Sequence, residues 1–470
     1  MPRIEHDSLG ELEVPDSAYY GIQTQRAIAN FPISGQPLPR EFIHAHVLLK
    51  KAAAIVNRDL GLLPENLAAA IAQAADEILA DAPWSRDQFP IDIYQTGSGT
   101  STNMNANEVL ASRANEILGG KRGEKLPVHP NDHVNMGQSS NDTFPTSLQI
   151  MTLALTRGPL STGLQLLWNS LEAKSRELWP VIKTGRTHLQ DATPIRLGQE
   201  FLGYMWQIRT AFENITGWTA HKMSPLPIGG TAVGTGINTH PEFASRVCGF
   251  LSVQKDIRPS KVEVVRSHFH TQATLDSAVS VHAQLKSLAV SLTKIVNDIR
   301  WMASGPRAGL GEITLPAVQP GSSIMPGKVN PVICESVLMV CQRVIGNDAA
   351  LTAAACSANF ELAMSMPLAV KCLHESITLL ANACTNLAKN CIDGITATDR
   401  GPALVESGLM LGTALAPVIG YDAAAAIAKE AAATNKTIRQ IARERTSLTE
   451  AQLNDLLDPV KMVDRPASNA

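Results

Sequence analysis

The part of the chain that decides the fold is residues 321–331, which read GSSIMPGKVNP. Two serine hydroxyls, the Lys328 ammonium and the Asn330 carboxamide stand close together in this segment, and glycines occupy positions 321 and 327. Such a composition is typical of a mobile polar loop and not of a buried core. We therefore expect a loop whose side chains are available to a polar ligand.

The end of this loop predicts the start of a helix. Asn330 suits an N-cap, and Pro331 suits the first helical position, where a missing N–H costs nothing. Helical spacing of apolar side chains then continues through Val332, Ile333, Val337, Leu338, Cys341, Val344 and Ile345. Backbone N–H groups at a helix start and the Lys328 ammonium favour an anion, so a carboxylate or phosphate is the expected ligand. The residues alone leave open an ordinary Gly/Ser/Pro loop before a helix.

The loop resembles the signature sequence of the fumarase/aspartase superfamily, GSSxMPxKxN, at every specified position. The resemblance covers nearly the whole chain, from residues 20–26 (YGIQTQR) to the C-terminal tail. It implies an enzyme with a mostly α, three-domain superfamily fold, in which a central long-helix bundle packs into a tetrameric helical core.

The composition agrees with a large helical protein that has no nucleic-acid partner. A chain of 470 residues is long enough for two or three domains. Hydrophobic residues make up 44% and aromatic residues only 4%, so the core must consist mainly of Ala, Leu, Val and Ile, which favours closely packed helices. The formal net charge is -3 and there is no basic block, which argues against nucleic-acid binding.

The cysteines and the apolar segments favour a cytoplasmic location. Seven cysteines, at 248, 334, 341, 356, 372, 384 and 391, form no C-x-x-C pair and fall mostly in helix-like apolar runs. We interpret them as buried, reduced thiols. The N-terminus lacks an apolar signal core, and no charge-free run reaches the ~20 residues that a membrane span needs.

Changes in pattern divide the chain into three predicted domains. Residues 1–137 mix short helical patterns with turns and predict an irregular, mainly helical N-terminal domain. Residues 138–395 contain long amphipathic stretches at 159–179, about 196–222, 272–304, 332–357 and 361–393, which predict a long five-helix bundle. Residues 396–470 predict a small domain of short helices.

Local signals refine the helices. Residues 271–304 contain neither Gly nor Pro, so this helix could run roughly 50 Å. Pro367 should kink or delay the last long helix, and Thr449 with Gln452 predicts a capping box in the tail. The apolar surface of five such helices exceeds what one chain can bury, which predicts an oligomer.

Residues 95–105, QTGSGTSTNMN, form a second polar island ahead of a helical pattern. Glycine-rich loops of this kind often hold phosphates, but the lysine of a P-loop and its spacing are missing. We therefore expect a loop that positions a polar substrate.

The segment HPNDH at residues 129–133 could suggest a metal site. Pro130 between the two histidines opposes a helical ligand pair, and no third imidazole or thiolate stands nearby in sequence, so we predict no metal. The superfamily resemblance instead implies an accessory anion site that binds a dicarboxylate, made of His129, Pro130, Asn131 and Asp132.

Residues 185–191, GRTHLQD, connect two of the long helical patterns. His188 is a candidate acid or base because imidazole titrates near neutral pH, although a lone histidine is more often structural. The superfamily is recognised by three islands, which here are residues 139–141, residues 187–188 and the loop at 321. Their presence in the right order makes a functional His188 the favoured interpretation.

Within the superfamily, the chain resembles class II fumarases more than aspartases. Thr187 precedes His188 where aspartases carry glutamine, and Gly327 precedes Lys328 where alanine is common. Departures from the pattern include Gly137 for a serine and His270 for an acidic residue. The alternatives are an aspartate ammonia-lyase of the same fold and an inactive structural relative.

The resemblance implies reversible anti hydration of fumarate to L-malate, a step of the tricarboxylic acid cycle, through a carbanion/aci-carboxylate intermediate without metal or organic cofactor. Ser322 would act as the base for the C–H bond, with Lys328 stabilising the anion. His188, polarised by Glu335, would activate water. The implied assembly is a homotetramer whose sites each use three chains.

The same resemblance implies a set of residues that hold the carboxylates of a small dicarboxylate. These are Ser98, Gly99, Thr100, Ser139, Ser140, Asn141, Thr187, Ser323, Val329 and Asn330.

Overall fold

The computed structural model describes residues 2–255 and 261–464, and most of them lie in helices. The expectation of a mostly α fold is therefore confirmed. The first 137 residues contain β1 (Arg3–Asp7), β2 (Gly10–Val14), α1 (Ile22–Asn30), α2 (Arg40–Asp59), α3 (Glu65–Leu79) and α4 (Thr100–Ile117). Residues 138–395 contain α5 (Ser140–Leu155), α6 (Ser161–Glu177), β3 (Ile182–Thr187), β4 (Gln190–Arg196), α7 (Leu197–Met223), β5 (Pro225–Leu226), α8 (Phe243–Ser252), β6 (Glu263–Val264), α9 (His268–Thr271), α10 (Asp276–Met302), β7 (Ile313–Thr314), α11 (Val332–Ala355) and α12 (Met366–Asn390).

The tail contains β8 (Thr396–Ala397), α13 (Arg400–Ser407), α14 (Ala416–Ile419), α15 (Tyr421–Thr434), α16 (Ile438–Arg445), α17 (Glu450–Leu456) and α18 (Pro459–Val463). The predicted capping box is confirmed, because the Thr449 side chain accepts from Gln452 N at the start of α17 and the Gln452 side chain accepts from Thr449 N. The short helices enclose a core of their own. Its fully buried members are Leu415, Ile441, Ala442, Leu453 and Leu457.

The five long helices predicted for the central region are confirmed as α6, α7, α10, α11 and α12. Helix α10 has 27 residues, so it is about 40 Å long. Its side chains at 281, 285, 288, 292, 295 and 299 are fully buried, which is the spacing of a helix that presents one apolar face to its neighbours. Helix α12 begins at Met366, which confirms that Pro367 delays it.

The N-terminal region is more regular than expected. The sequence predicts short helical patterns there, but α2, α3 and α4 have 20, 15 and 18 residues. Small side chains explain the difference: Ala52 and Ala53 in α2 and Ala74 and Ala75 in α3 are fully buried, so closely packed backbones stabilise helices whose apolar signal is weak. The prediction of short helices was wrong here.

Residues 182–196 fold as a β-hairpin, which the sequence did not predict. Thr187 of β3 pairs with Gln190 of β4, and the two residues between them, His188 and Leu189, have φ values of 56 and 58. Two left-handed residues in succession are the backbone of a tight hairpin turn. Strand β3 packs against α13, and Ile182 contacts the core of the C-terminal helices.

The chain forms two compact units, each assembled from separate segments. The first contains Met1–Thr162, Glu213–Ala289 and Gln342–Ala381, and the second contains Gly163–Phe212, Val290–Cys341 and Asn382–Ala470. The first unit includes the helices α2 to α5, and the second includes the β3–β4 hairpin and the 321–331 loop. The boundaries at 137/138 and 395/396 stay a prediction.

All seven cysteines are free, and six of them are buried. Cys356 is exposed, so the expectation of buried thiols is wrong for that residue, which lies just beyond the end of α11.

No single described helix has the length and apolar character of a membrane span. The bent pair Arg400–Ser407 and Leu409–Ile419 meets the test on length and composition when taken together.

Candidate active site

In the first unit, three hydroxyls meet where two helices begin. Thr100 Oγ1 is hydrogen-bonded to Ser140 Oγ at 2.7 Å and to Ser98 Oγ at 2.8 Å. Thr100 is the first residue of α4, and Ser140 is the first residue of α5. The first backbone N–H groups of a helix have no partner inside it, so two helix starts beside a group of hydroxyls form a favourable site for a carboxylate. We call Ser98, Thr100, Ser140 and Asn141 the hydroxyl clamp.

Gly99 is required where it stands. It has a φ of 74 at the N-cap of α4, and a Cβ atom there would lie 2.0 Å from Cδ2 of Phe144. The left-handed backbone and the close aromatic ring both exclude a side chain. The clamp therefore has bare backbone between Ser98 and Thr100.

Asn141 of the clamp and Ser139, which precedes it, both make hydrogen bonds within the protein. Ser139 Oγ accepts from Asn141 N at 3.2 Å, and Ser139 N donates to Asp142 Oδ1 at 2.9 Å, which forms a capping box for α5. Asn141 Nδ2 donates to Ala232 O at 2.7 Å. These bonds determine which way the Asn141 carboxamide points.

Asp142 is a functional neighbour that the sequence analysis missed. It is fully buried, and its Oδ2 accepts from Gly229 N at 3.1 Å and Thr231 N at 2.9 Å. Burial raises the pKa of Asp142 to about 6 despite these bonds. The capping-box spacing from Ser139 is a sequence signal that could have identified it.

The 321–331 loop is closed at its base by two hydrogen bonds. Gly321 N donates to Lys328 O at 2.8 Å, and Asn330 Nδ2 donates to Gly321 O at 2.7 Å. Asn330 therefore joins the two ends of the loop. Helix α11 begins at Val332, one residue later than expected, and its first turn is closed by Glu335 N donating to Pro331 O at 3.1 Å.

Ser322 lies inside this loop as an acceptor. Its Oγ accepts from Met325 N at 2.9 Å and from Ile324 N at 3.2 Å. Ser323, Lys328 and Val329 are exposed. Two backbone donors on one hydroxyl oxygen favour its deprotonated form, because hydrogen bonds to a charged group stabilise the charge.

Thr187 and His188 are exposed at the tip of the β3–β4 hairpin, and Glu335 is exposed in the first turn of α11. Among the described residues of the second unit, no hydrogen bond or ion pair joins His188 to Glu335 or to Ser322. The pairing of His188 with Glu335 is thus not formed within one chain.

The hairpin is anchored by buried charges that the sequence analysis also missed. Arg186 donates to both carboxylate oxygens of Glu312, at 3.0 and 2.7 Å. Lys183 forms ion pairs with Glu312 at 3.0 Å and Glu200 at 3.1 Å, and the Lys183 and Glu312 side chains are almost fully buried. No local sequence signal connects these residues, because Glu312 lies more than a hundred positions beyond the hairpin.

The His129 segment forms one wide helical turn, Pro130–Val134, at the surface. His129 Nδ1 accepts from Asn131 N and Asp132 N, both at 3.2 Å, and it lies 3.3 Å from Asp132 Oδ2. Asn131 and Asp132 are exposed, while Pro130 is buried. The accessory anion site stays a prediction.

Comparisons with known proteins agree along the whole chain. The profile of a family described as "Lyase" matches residues 10–346, and that of "Fumarase C C-terminus" matches residues 411–464. The fumarate hydratase class II of Nitrosomonas europaea is 48% identical over 98% of this chain and 99% of its own length. The corresponding protein of Thermosynechococcus vestitus is 49% identical over 96% of each.

Solved structures show the same similarity. A recombinant class II fumarase from Schistosoma mansoni superposes with a TM-score of 0.94 at 37% identity, covering 98% of this chain and 99% of its own. A fumarate lyase/delta crystallin from Brucella melitensis also gives 0.94, at 45% identity, covering 99% of this chain and 100% of its own.

Proposed function

Because the chain belongs to the class II fumarate hydratase family, we propose that it catalyses the reversible anti hydration of fumarate to L-malate. The observation that carries the mechanism is the position of Ser322 Oγ as acceptor of two loop amides, at 2.9 and 3.2 Å. We assign the activity to the tricarboxylic acid cycle and to the cytoplasm.

The difficult step in the malate direction is removal of a weakly acidic C–H proton beside a carboxylate. Ser322 as an alkoxide takes this proton, and the Met325 and Ile324 amides stabilise the alkoxide beforehand. The electron pair moves into the adjacent carboxylate, which becomes a doubly charged aci-carboxylate. Lys328 and Asn330, on the same loop, provide a positive charge and a carboxamide for that charge.

His188 is the proposed acid or base on the leaving-group side of the reaction. The imidazole protonates the departing hydroxyl or, in the hydration direction, takes a proton from water. Its place at a two-residue hairpin turn leaves the ring exposed, and Thr187 beside it offers a hydroxyl for substrate. Glu335 of another chain holds the ring in the working tautomer.

The hydroxyl clamp holds the substrate carboxylates. Two helix starts and the Ser98, Thr100 and Ser140 hydroxyls supply donors, with Asn141 at the edge. Ser139 and Gly99 shape the backbone of the clamp, while Ser323 and Val329 cover the substrate from the loop. Fixing a small rigid diacid in this way accounts for much of the expected rate enhancement. The proposed chemistry uses only side chains and backbone donors.

An ammonia-lyase acting on aspartate is the nearest alternative, because it needs the same carbanion stabilisation. We expect purified protein in metal-chelating buffer to form malate from fumarate, and no aspartate when ammonia is added. Absorbance of fumarate and chromatography of the products measure both reactions. Aspartate without malate would overturn the proposal, and no product at all would favour an inactive relative.

Ser322→Ala should abolish solvent exchange of the malate C3 hydrogen, because it removes the base for that proton. NMR in deuterated buffer measures the exchange, and circular dichroism should show an unchanged fold. Binding of succinate should persist, since the clamp is untouched. Near-normal turnover would mean that another group is the base.

His188→Asn should lower the dehydration rate by roughly 10²–10⁴-fold, the usual contribution of a general acid or base. The amide keeps a polar side chain but cannot titrate. Glu335→Gln should also lower the dehydration rate, by a smaller factor than His188→Asn. Steady-state kinetics measure both variants, and an unchanged rate in His188→Asn would return this residue to a structural role.

Among the described residues His188 has no hydrogen bond or ion pair with Glu335, which supports a homotetramer in which the partner of His188 comes from another chain. The second unit also exposes large apolar side chains on its long helices: Trp206 at 51%, Val290 at 57%, Trp301 at 53% and Met339 at 64%. Exposed apolar groups of this size are typical of surfaces that other chains cover. We propose that each site takes its islands from three chains.

Shared sites predict complementation between inactive variants. His188→Asn and Ser322→Ala proteins, unfolded together and reassembled, should regain partial activity because some mixed sites receive both wild-type residues. Differently tagged chains allow mixed tetramers to be isolated and assayed, and each variant reassembled alone is the control. A monomer by light scattering, or inactive mixed tetramers, would contradict shared sites.

A further inference from the structure

Lys50 in α2 is fully buried although its hydrogen-bond partners are uncharged. Its Nζ donates to Asn135 Oδ1 at 2.9 Å and to Gln138 Oε1 at 3.0 Å, and among the described residues no carboxylate forms an ion pair with it. Burial lowers the pKa of Lys50 to about 7, with the charge of Asp142 acting in the opposite direction. Burying an ammonium group without a charged partner costs free energy of folding. We therefore ask what the hydrogen bonds of Lys50 stabilise in the surrounding structure.

Its two partners lie in the turn that leads into the hydroxyl clamp. Asn135 Nδ2 donates to Gln138 O at 3.1 Å, and Gln138 Nε2 donates to Val134 O at 3.1 Å. Ser139 follows directly. Lys50 therefore binds Asn135 Oδ1 and Gln138 Oε1 at the same time. These two bonds restrict the conformation of residues 135–138 and so the position of the first residues of α5.

The same network reaches the other helix of the clamp. Asn103 and Asn107 of α4 each donate a side-chain N–H to Asn135 Oδ1 at 3.2 Å, and Thr143 of α5 donates to Asn103 Oδ1 at 3.1 Å. Asn135 Oδ1 thus accepts from α2 and α4 together. These hydrogen bonds connect Lys50 to both helices whose first residues form the clamp.

Charge gives Lys50 a second effect. An ionised Asp142 stands two residues beyond Ser140, where a negative charge opposes binding of a dianion. The Lys50 ammonium attracts that carboxylate electrostatically without touching it. His46, another buried titratable group of α2, is hydrogen-bonded to Ser147 Oγ and Asn103 Oδ1, and burial holds its pKa well below the usual value, so it adds no charge.

We infer that Lys50 is a positioning residue for the dicarboxylate clamp: it fixes the turn at residues 135–138 and offsets the charge of Asp142. This inference rests on the proposed function, because that function assigns the clamp to a dicarboxylate. Lys50 does not touch the substrate.

The sign of the pH effect follows from the charges. Lys50 carries its positive charge below about pH 7 and loses it as the pH rises through that value, while Asp142 carries its negative charge above about pH 6. Both changes oppose a bound dianion at higher pH. Affinity for succinate, a dianion that cannot react, should therefore fall between pH 6 and pH 8.5 in the wild-type protein.

Lys50→Met keeps the length of the side chain but removes the donor and the charge. We expect succinate binding, measured by isothermal titration calorimetry, to weaken on the order of 10-fold at pH 6, a usual size for coupling between a binding site and a group that does not touch the ligand. The decline of affinity between pH 6 and 8.5 should become shallower. KM for fumarate should rise by a similar factor while kcat changes less.

Two further variants separate positioning from general destabilisation. Lys174→Met removes another buried lysine, one that donates to Asp393 O and Ile395 O in the second unit, and should lower the melting temperature without changing succinate affinity. Gln138→Met keeps Lys50 but removes one acceptor, so it should weaken binding and retain the full pH dependence. It decides the question if Lys50→Met does not fold.

Wild-type affinity and pH dependence in Lys50→Met, or wild-type affinity in Gln138→Met, would overturn the inference. Equal weakening by Lys174→Met would do the same, because it would attribute the loss to stability. A wild-type protein that binds no succinate would overturn the clamp itself, and the inference with it.

Discussion

A long helix always begins with backbone N–H groups that have no partner inside the helix, and the polar islands at residues 95–105, 139–141 and 321–331 lie where that constraint acts. The remaining island, residues 187–188, lies at a hairpin turn. Thr100 opens α4, Ser140 opens α5, and the 321–331 loop leads into α11. The same sequence features that stop a helix, namely glycines, hydroxyls and proline, also supply donors for an anion. On the proposed function, the residues that start these helices are therefore also the residues that bind the substrate carboxylates.

The core that supports the clamp also contains polar side chains. Instead of apolar side chains only, α2, α4 and α5 enclose Lys50, His46, Asn103 and Asp142. Buried polar groups are stable only when they are hydrogen-bonded, so each of them limits the positions of the others. A network of this kind sacrifices some stability compared with an apolar core and in return specifies one geometry.

Sequence reasoning predicted the parts of the fold that depend on neighbours along the chain. Apolar spacing located α6, α7, α10, α11 and α12, and the loop motif located Ser322 and Lys328. It failed at the β3–β4 hairpin, because His188 and Leu189 adopt left-handed backbone without the glycine or asparagine that usually indicates such a turn. It also missed Lys50 and Glu312, since their partners are 85 to 129 positions away and only tertiary packing connects them.

The close contact between Gly99 and Phe144 has a consequence for the evolution of substrate choice. Position 99 already has no side chain to remove and can accept none, so substitution there can neither widen nor narrow the clamp. The loop is different, because Ile324 is 84% exposed and Val329 is 48% exposed. On the proposed function, libraries that seek altered substrate choice therefore belong at these exposed loop positions and not at Gly99.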